Sequence, residues 1–218
     1  GVSAITINIH GALEVCRIAK ILGKIVVMGG SHMAVFPKAT LAHSCIDYGI
    51  CGEGEQPMPE LLRALEGKGD ITKIRGLVYR RNGEIIMNGI ARNENLDSLS
   101  WPAYHLLPLE KYEMINTDQM VSMFTTCGCP YKCTFCFRNP VLDKVRKRDP
   151  VKVVDEMEFV NKEFGVKYIN FVDETLSIDK KHIMSICNEI LRRRLNISYQ
   201  APTRVDHVDE EMLKSMKK

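Results

Sequence analysis

The tightest constraint on this chain is the stretch Thr125-Thr126-Cys127-Gly128-Cys129-Pro130-Tyr131-Lys132-Cys133-Thr134-Phe135-Cys136-Phe137. Half of the chain's 8 cysteines fall between Cys127 and Cys136. Three of them, Cys129, Cys133 and Cys136, have the spacing CxxxCxxC. The run ahead of them, Gln119 to Thr125, reads as a strand, so the thiols ride one short loop at a strand's end. Thiolates that close in sequence can wrap a single inorganic centre, and three ligands leave one metal position open. Two readings compete, a four-ligand structural zinc site and a four-thiolate electron-transfer cluster, and both need Cys127 as the fourth ligand. A disulfide pairing is disfavoured, because the thiols are too close in sequence to staple a large domain and no secretory signal peptide is seen.

Around this loop the chain alternates strand and helix patterns. Ile5, Ile7 and Ile9 alternate with polar residues at strand period. Val15, Ile18, Ala19 and Leu22 follow at helical spacing, with Gly23 as the stop. Ile25 to Met28 is a short apolar run typical of a buried parallel strand, ending in Gly29-Gly30-Ser31-His32. Tyr48 to Cys51 is another, ending in Gly52-Glu53-Gly54-Glu55, and a helix with Leu61, Leu62 and Leu65 comes after it. This rhythm predicts a doubly wound α/β sheet, whose ligands sit beyond the carboxyl ends of the strands. Asn82-Gly83 between apolar runs predicts a β-hairpin. Leu96 to Tyr104, broken by Pro102, reads as packing residues, Trp101 and Tyr104 included.

From Gln119 the pattern becomes three β/α units. Lys144 to Arg148 is basic, and its lysines read as a solvated loop. Asp149-Pro150 is a helix start, with Asp as the cap and Pro in the first turn. Val153, Val154, Met157, Val160 and Phe164 give the apolar stripe and Gly165 the stop. Val166 to Val172 is a strand, Asp179 caps a second helix, Ile197 to Ala201 is a third strand, and Asp209 opens a third helix. A barrel of this kind gathers its site at the carboxyl ends of its strands. There the cysteine loop, Asp173-Glu174-Thr175 and Thr203-Arg204 would converge. The expected domains are 1–67, a partial doubly wound parallel sheet; 68–118, a hairpin linker; and 119–218, a partial (β/α) barrel.

Composition narrows the class. The 218 residues are 45% hydrophobic and 26% charged with a net charge of +3, which argues against a general nucleic-acid or membrane-surface role. No apolar run approaches the roughly 20 residues of a membrane span. Cys16, Cys45, Cys51 and Cys187 sit among apolar neighbours and read as reduced core thiols in a cytoplasmic protein. The chain opens on Gly1 and ends on Lys217-Lys218 inside an expected helix, so it reads as part of a longer protein.

Cys129-x-x-x-Cys133-x-Phe135-Cys136 behind a strand resembles the signature of the radical S-adenosylmethionine (SAM) enzymes. The resemblance implies that Cys129, Cys133 and Cys136 hold three irons of a [4Fe-4S] cluster. SAM would chelate the fourth iron, and its reductive cleavage would yield a 5′-deoxyadenosyl radical. Asn170-Phe171-Val172-Asp173-Glu174-Thr175 is similar to the second-strand motif of the cobalamin-associated branch, which implies that Asp173 or Glu174 meets the SAM ammonium. Thr203-Arg204-Val205-Asp206 resembles the third-strand ending, which makes Arg204 a candidate for a carboxylate; a structural pair with Asp206 or Asp173 is the other reading. Phe135 would pack against the cluster or the adenine.

Val-Val-Met-Gly-Gly-x-His with the later Gly-Glu-Gly-Glu run resembles the second half of the cobalamin-binding domain that precedes many of these barrels. By that resemblance Gly29, Gly30, Ser31, Gly52, Glu53 and Gly54 would line a pocket for the nucleotide tail. The family's Asp-x-His-x-x-Gly segment is absent, and His10-Gly11 does not fit its spacing, which counts against cobalamin binding by this chain. His32 reads as a loop histidine without a ligand role. The implied activity is reductive cleavage of SAM for methyl transfer or for radical rearrangement or oxidation of a small molecule. An external donor such as a ferredoxin or flavodoxin would supply the electron. The alternatives are an iron–sulfur or zinc-binding module without SAM chemistry, and a chain too short to be active. An open parallel sheet leaves a bare edge, so a second copy is expected to cover it.

Overall fold

The computed structural model describes residues 1–111, 119–137 and 140–218. They divide into two compact units, Gly1–Glu94 with Lys132–Asp143, and Asn95–Tyr131 with Lys144–Lys218. The mixed α/β architecture with parallel sheets is the expected class.

The first unit is built on a five-stranded sheet in the order β1 (Val2–Ser3), β2 (Val27–Gly29), β3 (Tyr48–Ile50), β4 (Leu77–Arg81), β5 (Glu84–Met87). The first three strands are parallel, with Val2 opposite Met28 and Val27 opposite Tyr48. Helices α1 (Ile9–Ile21), α2 (Ser31–Val35), α3 (Pro37–Leu41) and α4 (Pro57–Leu65) accompany them. Successive strand side chains point to opposite faces. Met28 therefore joins Leu13, Cys16, Met33 and Leu41 in one core, and Val27 joins Ile50, Leu61 and Leu77 in another.

Three expectations change here. Ile5 to Ile9 is not a strand: β1 lies at Val2–Ser3, a 3-10 turn spans Thr6–Asn8, and α1 starts at Ile9. The Asn8 side-chain oxygen accepts from the Ile5 N–H at 2.9 Å, closing a turn that period-2 counting of isoleucines cannot register. In α1 the buried residues are Ala12, Leu13 and Cys16, while Val15, Ile18 and Leu22 face outward. Ala12, Leu13 and Cys16 carry the packing, and the stripe of Val15, Ile18 and Leu22 lies on the other side. The hairpin forms as expected, with Asn82 at φ 52° and Gly83 at φ 82°. It pairs antiparallel onto β3, with Gly49 opposite Val78, so it extends the sheet instead of standing apart as a connector. Residues 112–118 of the expected linker lie outside the described residues.

The second unit carries a parallel sheet in the order β10 (Ser198–Gln200), β9 (Tyr168–Phe171), β6 (Met120–Met123), and a short antiparallel pair, β7 (Thr126–Cys127) with β8 (Arg146–Lys147). The helices are α5 (Pro150–Phe164), α6 (Lys180–Arg193) and α7 (Glu210–Lys217). All three start on an aspartate whose carboxylate takes free N–H groups of the first turn: Asp149 from Val151, Asp179 from His182 and Asp209 from Met212. Gly165 ends α5 at φ 69°, where a side chain would be strained. Val121, Met123, Ile169 and Phe171 point to one face of the sheet and share a core with Val153, Met157, Val160, Ile183 and Ile186.

The lysines of the basic run are exposed, as expected, and its arginines are buried. Lys147 is exposed and pairs with Asp179 at 2.6 Å. Arg146 and Arg148 are buried, the first on β8 opposite Cys127 and the second 2.6 Å from Glu156. Tyr104 donates to the other Glu156 oxygen at 2.7 Å. A guanidinium can enter the interior only with such partners, and the run reads as surface only until its acid is found 8 residues further along at Glu156.

Candidate functional site

In the second unit the end of β6 runs straight into the first part of the cysteine loop, up to Tyr131, and the end of β9 holds that part in place. Asp173 is 2% exposed. It accepts from the Thr125 N–H at 3.0 Å and the Thr126 N–H at 2.6 Å, and from their hydroxyls at 2.8 and 2.7 Å. Four donors fill its lone pairs, so this carboxylate anchors the loop. Glu174 reaches one step further: it accepts from the Gly128 N–H at 2.7 Å, between Cys127 and Cys129.

Further along the loop stands Tyr131. Its hydroxyl lies 2.5 Å from His207 Nε2, and the Arg204 guanidinium carbon stands 4.1 Å over its ring. Arg204 also grips Asp206 at 2.7 and 3.0 Å, so the other reading of this residue, a structural pair with Asp206, is present. The ends of β6, β9 and β10 thus come together around Cys129 through Gly128, Tyr131, Glu174 and Arg204. Tyr131 and His207 were not singled out from the sequence; the aromatic inside the cysteine spacing was the available signal. His182 was also missed. It is buried, near Thr125, Asp173, Asp179 and Lys147, and burial first, then the Lys147 charge, pushes its imidazole below the usual range.

All 8 cysteines are free thiols. Cys16, Cys45, Cys51 and Cys187 are buried, as expected, and desolvation pushes Cys16, Cys51 and Cys187 up, away from the reactive thiolate. Cys127, Cys129 and Cys133 are half-buried and Cys136 is exposed. Cys127 has its backbone committed to β7. Phe135 is 91% exposed, so it is not a core residue. Among the described residues no three His, Cys, Asp or Glu side chains stand ready-assembled around a metal position. The donor chemistry, three accessible thiols on one loop, suits an iron–sulfur cluster; the grouping has to form with it.

In the first unit the carboxyl ends of β1 to β3 frame a groove of ≈ 510 Å³ whose lining includes Gly29, Gly30, Gly52, Gly54, Ile50 and Met58. Gly30 (φ 90°) and Gly52 (φ 116°) are in conformations that favour glycine. A Cβ on Gly52 would stand 2.1 Å from the Ala91 carbonyl oxygen, so that position is closed to any side chain. Ser31 and Glu53 are not in the lining; Glu53 turns to the Asn93 N–H at 2.6 Å. His32 contacts Thr6 and Phe36.

Residues 1–62 match the B12 binding domain, and residues 123–218 match the Radical SAM superfamily. The chain belongs to the radical SAM superfamily, in the branch that carries a B12-binding domain. This radical SAM chain is 35% identical over 228 residues to an uncharacterized methyltransferase, PH0819, of Pyrococcus horikoshii, covering 100% of itself and 48% of that protein. It is 31% identical over 229 residues to the anaerobic magnesium-protoporphyrin IX monomethyl ester cyclase of Rubrivivax gelatinosus, covering 41% of it. The chain therefore spans less than half the length of these curated relatives. Among solved structures it resembles the radical SAM methyltransferase TsrM of Kitasatospora setae, with a TM-score of 0.76 at 21% identity, over 94% of this chain and 42% of that one. No helix among the described residues is long and apolar enough to cross a membrane.

Proposed function

We propose that this chain is the cofactor-bearing part of an enzyme that cleaves SAM reductively, for methyl transfer or for radical rearrangement or oxidation of a small molecule. The observation that carries the reading is the convergence of three strand ends on the residues around Cys129. Cys129, Cys133 and Cys136 would hold a [4Fe-4S] cluster, with Cys127 left on its strand. When bound, the cluster supplies the electron that cleaves SAM. Asp173 sets the path of the loop, and Glu174, which still has lone pairs to offer, is the better placed acid for the SAM ammonium. Arg204 offers a fork for a carboxylate, at the cost of loosening its grip on Asp206. Gly29, Gly30, Gly52 and Gly54 would admit the nucleotide tail of cobalamin, and the size of their groove suits a ligand of that class. A ferredoxin or flavodoxin is the fitting donor, and a reducing cytoplasm the fitting compartment.

The test is reconstitution without oxygen. Addition of SAM should change the paramagnetic spectrum of the reduced cluster, and 5′-deoxyadenosine should appear. A silent spectrum, together with zinc held by Cys127, Cys129, Cys133 and Cys136, would make the chain a metal-binding module. SAM binding by a longer parent but not by this chain would show that the remaining half is needed.

A further inference from the structure

The second unit has a second face to its sheet, and that face is polar. Ser122, Asn170 and Gln200 stand in register across β6, β9 and β10. They are hydrogen-bonded in a row: Asn170 Nδ2 donates to Ser122 Oγ at 3.3 Å, and Gln200 Nε2 donates to Asn170 Oδ1 at 2.8 Å. Tyr168, one rung below, donates its hydroxyl to Gln200 Oε1 at 3.2 Å. None of the four is buried, whereas their strand neighbours Val121, Ile169 and Phe171 are.

A barrel interior that is simply packed is filled with Val, Ile and Leu. Amides and hydroxyls in that place are costly unless water or a ligand satisfies them. This row is one residue short of the end of β9, and Val172, exposed at the strand end, lies roughly 7 Å further along the same face. The row therefore forms the wall immediately below the strand ends that carry Glu174 and Arg204.

Each amide nitrogen carries two hydrogens, and Asn170 and Gln200 each use one in the row. Ser122 accepts, so among the described residues its hydroxyl hydrogen is also unspent. Three neutral donors in one line, with no charged side chain among them, complement oxygen acceptors; the oxygens of the same groups each keep a lone pair, so an ammonium is the control that separates use of the donors from use of the acceptors. We propose that Ser122, Asn170 and Gln200 form a substrate subsite that binds a carboxylate or carbonyl oxygen of the small molecule. The inference rests on the reading that these strand ends are the reaction mouth.

The test uses ¹⁵N-labelled protein prepared without oxygen, and sodium butyrate, butyramide and butylammonium chloride as probes. The side-chain amide signals are assigned by their loss in Asn170→Asp and Gln200→Glu. Butyrate or butyramide, or both, should shift these signals saturably; which one does so tells a carboxylate site from a carbonyl site. Butylammonium should not. Gln200→Leu, at an exposed position, should weaken the acceptor's binding roughly tenfold with the rest of the spectrum unchanged. No shift with either acceptor, an equal shift with the amine, or an unaltered affinity in Gln200→Leu would overturn the subsite. Iron and sulfide loading measured on the same protein separates the two ideas. Normal loading without amide shifts removes the subsite and leaves the cluster reading; amide shifts in protein that takes up no iron do the reverse.

Discussion

Cys127 and Cys133 are 6 positions apart and are expected to behave differently. Cys133 lies on the irregular loop, half-buried, whereas Cys127 is paired backbone to backbone with Arg146. Cys133→Ala should abolish iron and sulfide uptake in protein purified without oxygen, and Cys127→Ala should keep both. Equal loss in the two variants would make Cys127 a ligand and remove the open position on which SAM chemistry depends. A second residue-scale expectation concerns His182. Its pKa lies below the ordinary imidazole range of about 6.5, chiefly through burial, with Lys147 opposing charge and Asp179 and Asp173 favouring it. The unfolded chain therefore binds a proton near pH 6.5 that the folded unit refuses. Stability is full above that pH and declines as pH falls from about 6.5 toward the folded pKa. His182→Gln should flatten this part of the urea-midpoint profile, below about pH 6.5. A wild-type slope in the variant would show that His182 is not its source.

At the scale of elements, the network of Arg148, Glu156 and Tyr104 ties the end of β6 to α5. Arg148 also donates to the Phe124 carbonyl at 3.1 Å, and Phe124 is the residue that turns into the loop. Arg148→Ala leaves the Glu156 carboxylate, 2% exposed, without its cation. Breaking such a pair from one side costs about 3–5 kcal/mol, whereas replacing both members by apolar residues is often neutral. The single variant should thus lose about 3 kcal/mol in urea titration, and Arg148→Met with Glu156→Leu and Tyr104→Phe should recover most of it. No recovery would mean that the loss comes from packing of the arginine stem. Local signals made much of this unit legible in advance. Asp149-Pro150, Asp179, Asp209 and Gly165 each act within one helical turn, as Asn82-Gly83 does within one hairpin. The misreadings share a different cause. Asn8 needs a hydrogen bond back to Ile5, and the outward stripe of α1 needs the sheet to say which side is inside. The row of Ser122, Asn170 and Gln200 depends on register between strands 30 and 48 residues apart, which spacing along one chain does not encode.

For the whole molecule the informative feature is the edge of the parallel sheet. Among the described residues β10 pairs on one side only, with β9, and β6 likewise closes the other end. β10 is short, and Ser198 and Gln200 are exposed on it. Unpaired backbone N–H and C=O groups on an edge invite another strand, and natural edges are commonly blocked by lysine, proline or a covering element. None of the three residues of β10, Ser198, Tyr199 and Gln200, is of that kind. Tyr199 is also fixed, through its hydroxyl to the Met216 carbonyl at 3.0 Å, so the edge is held extended by α7. An extended, unblocked edge predicts association of this chain with a second copy, visible as a concentration-dependent sedimentation coefficient. Ser198→Lys places a charge on that edge without touching the core, and it should move the equilibrium toward the single chain while leaving the far-ultraviolet circular dichroism as it was. Chains that sediment singly at every concentration would remove the edge as a contact. Association that Ser198→Lys leaves unchanged would transfer it to the outward stripe of α1, where Val15→Lys and Ile18→Lys become the deciding variants.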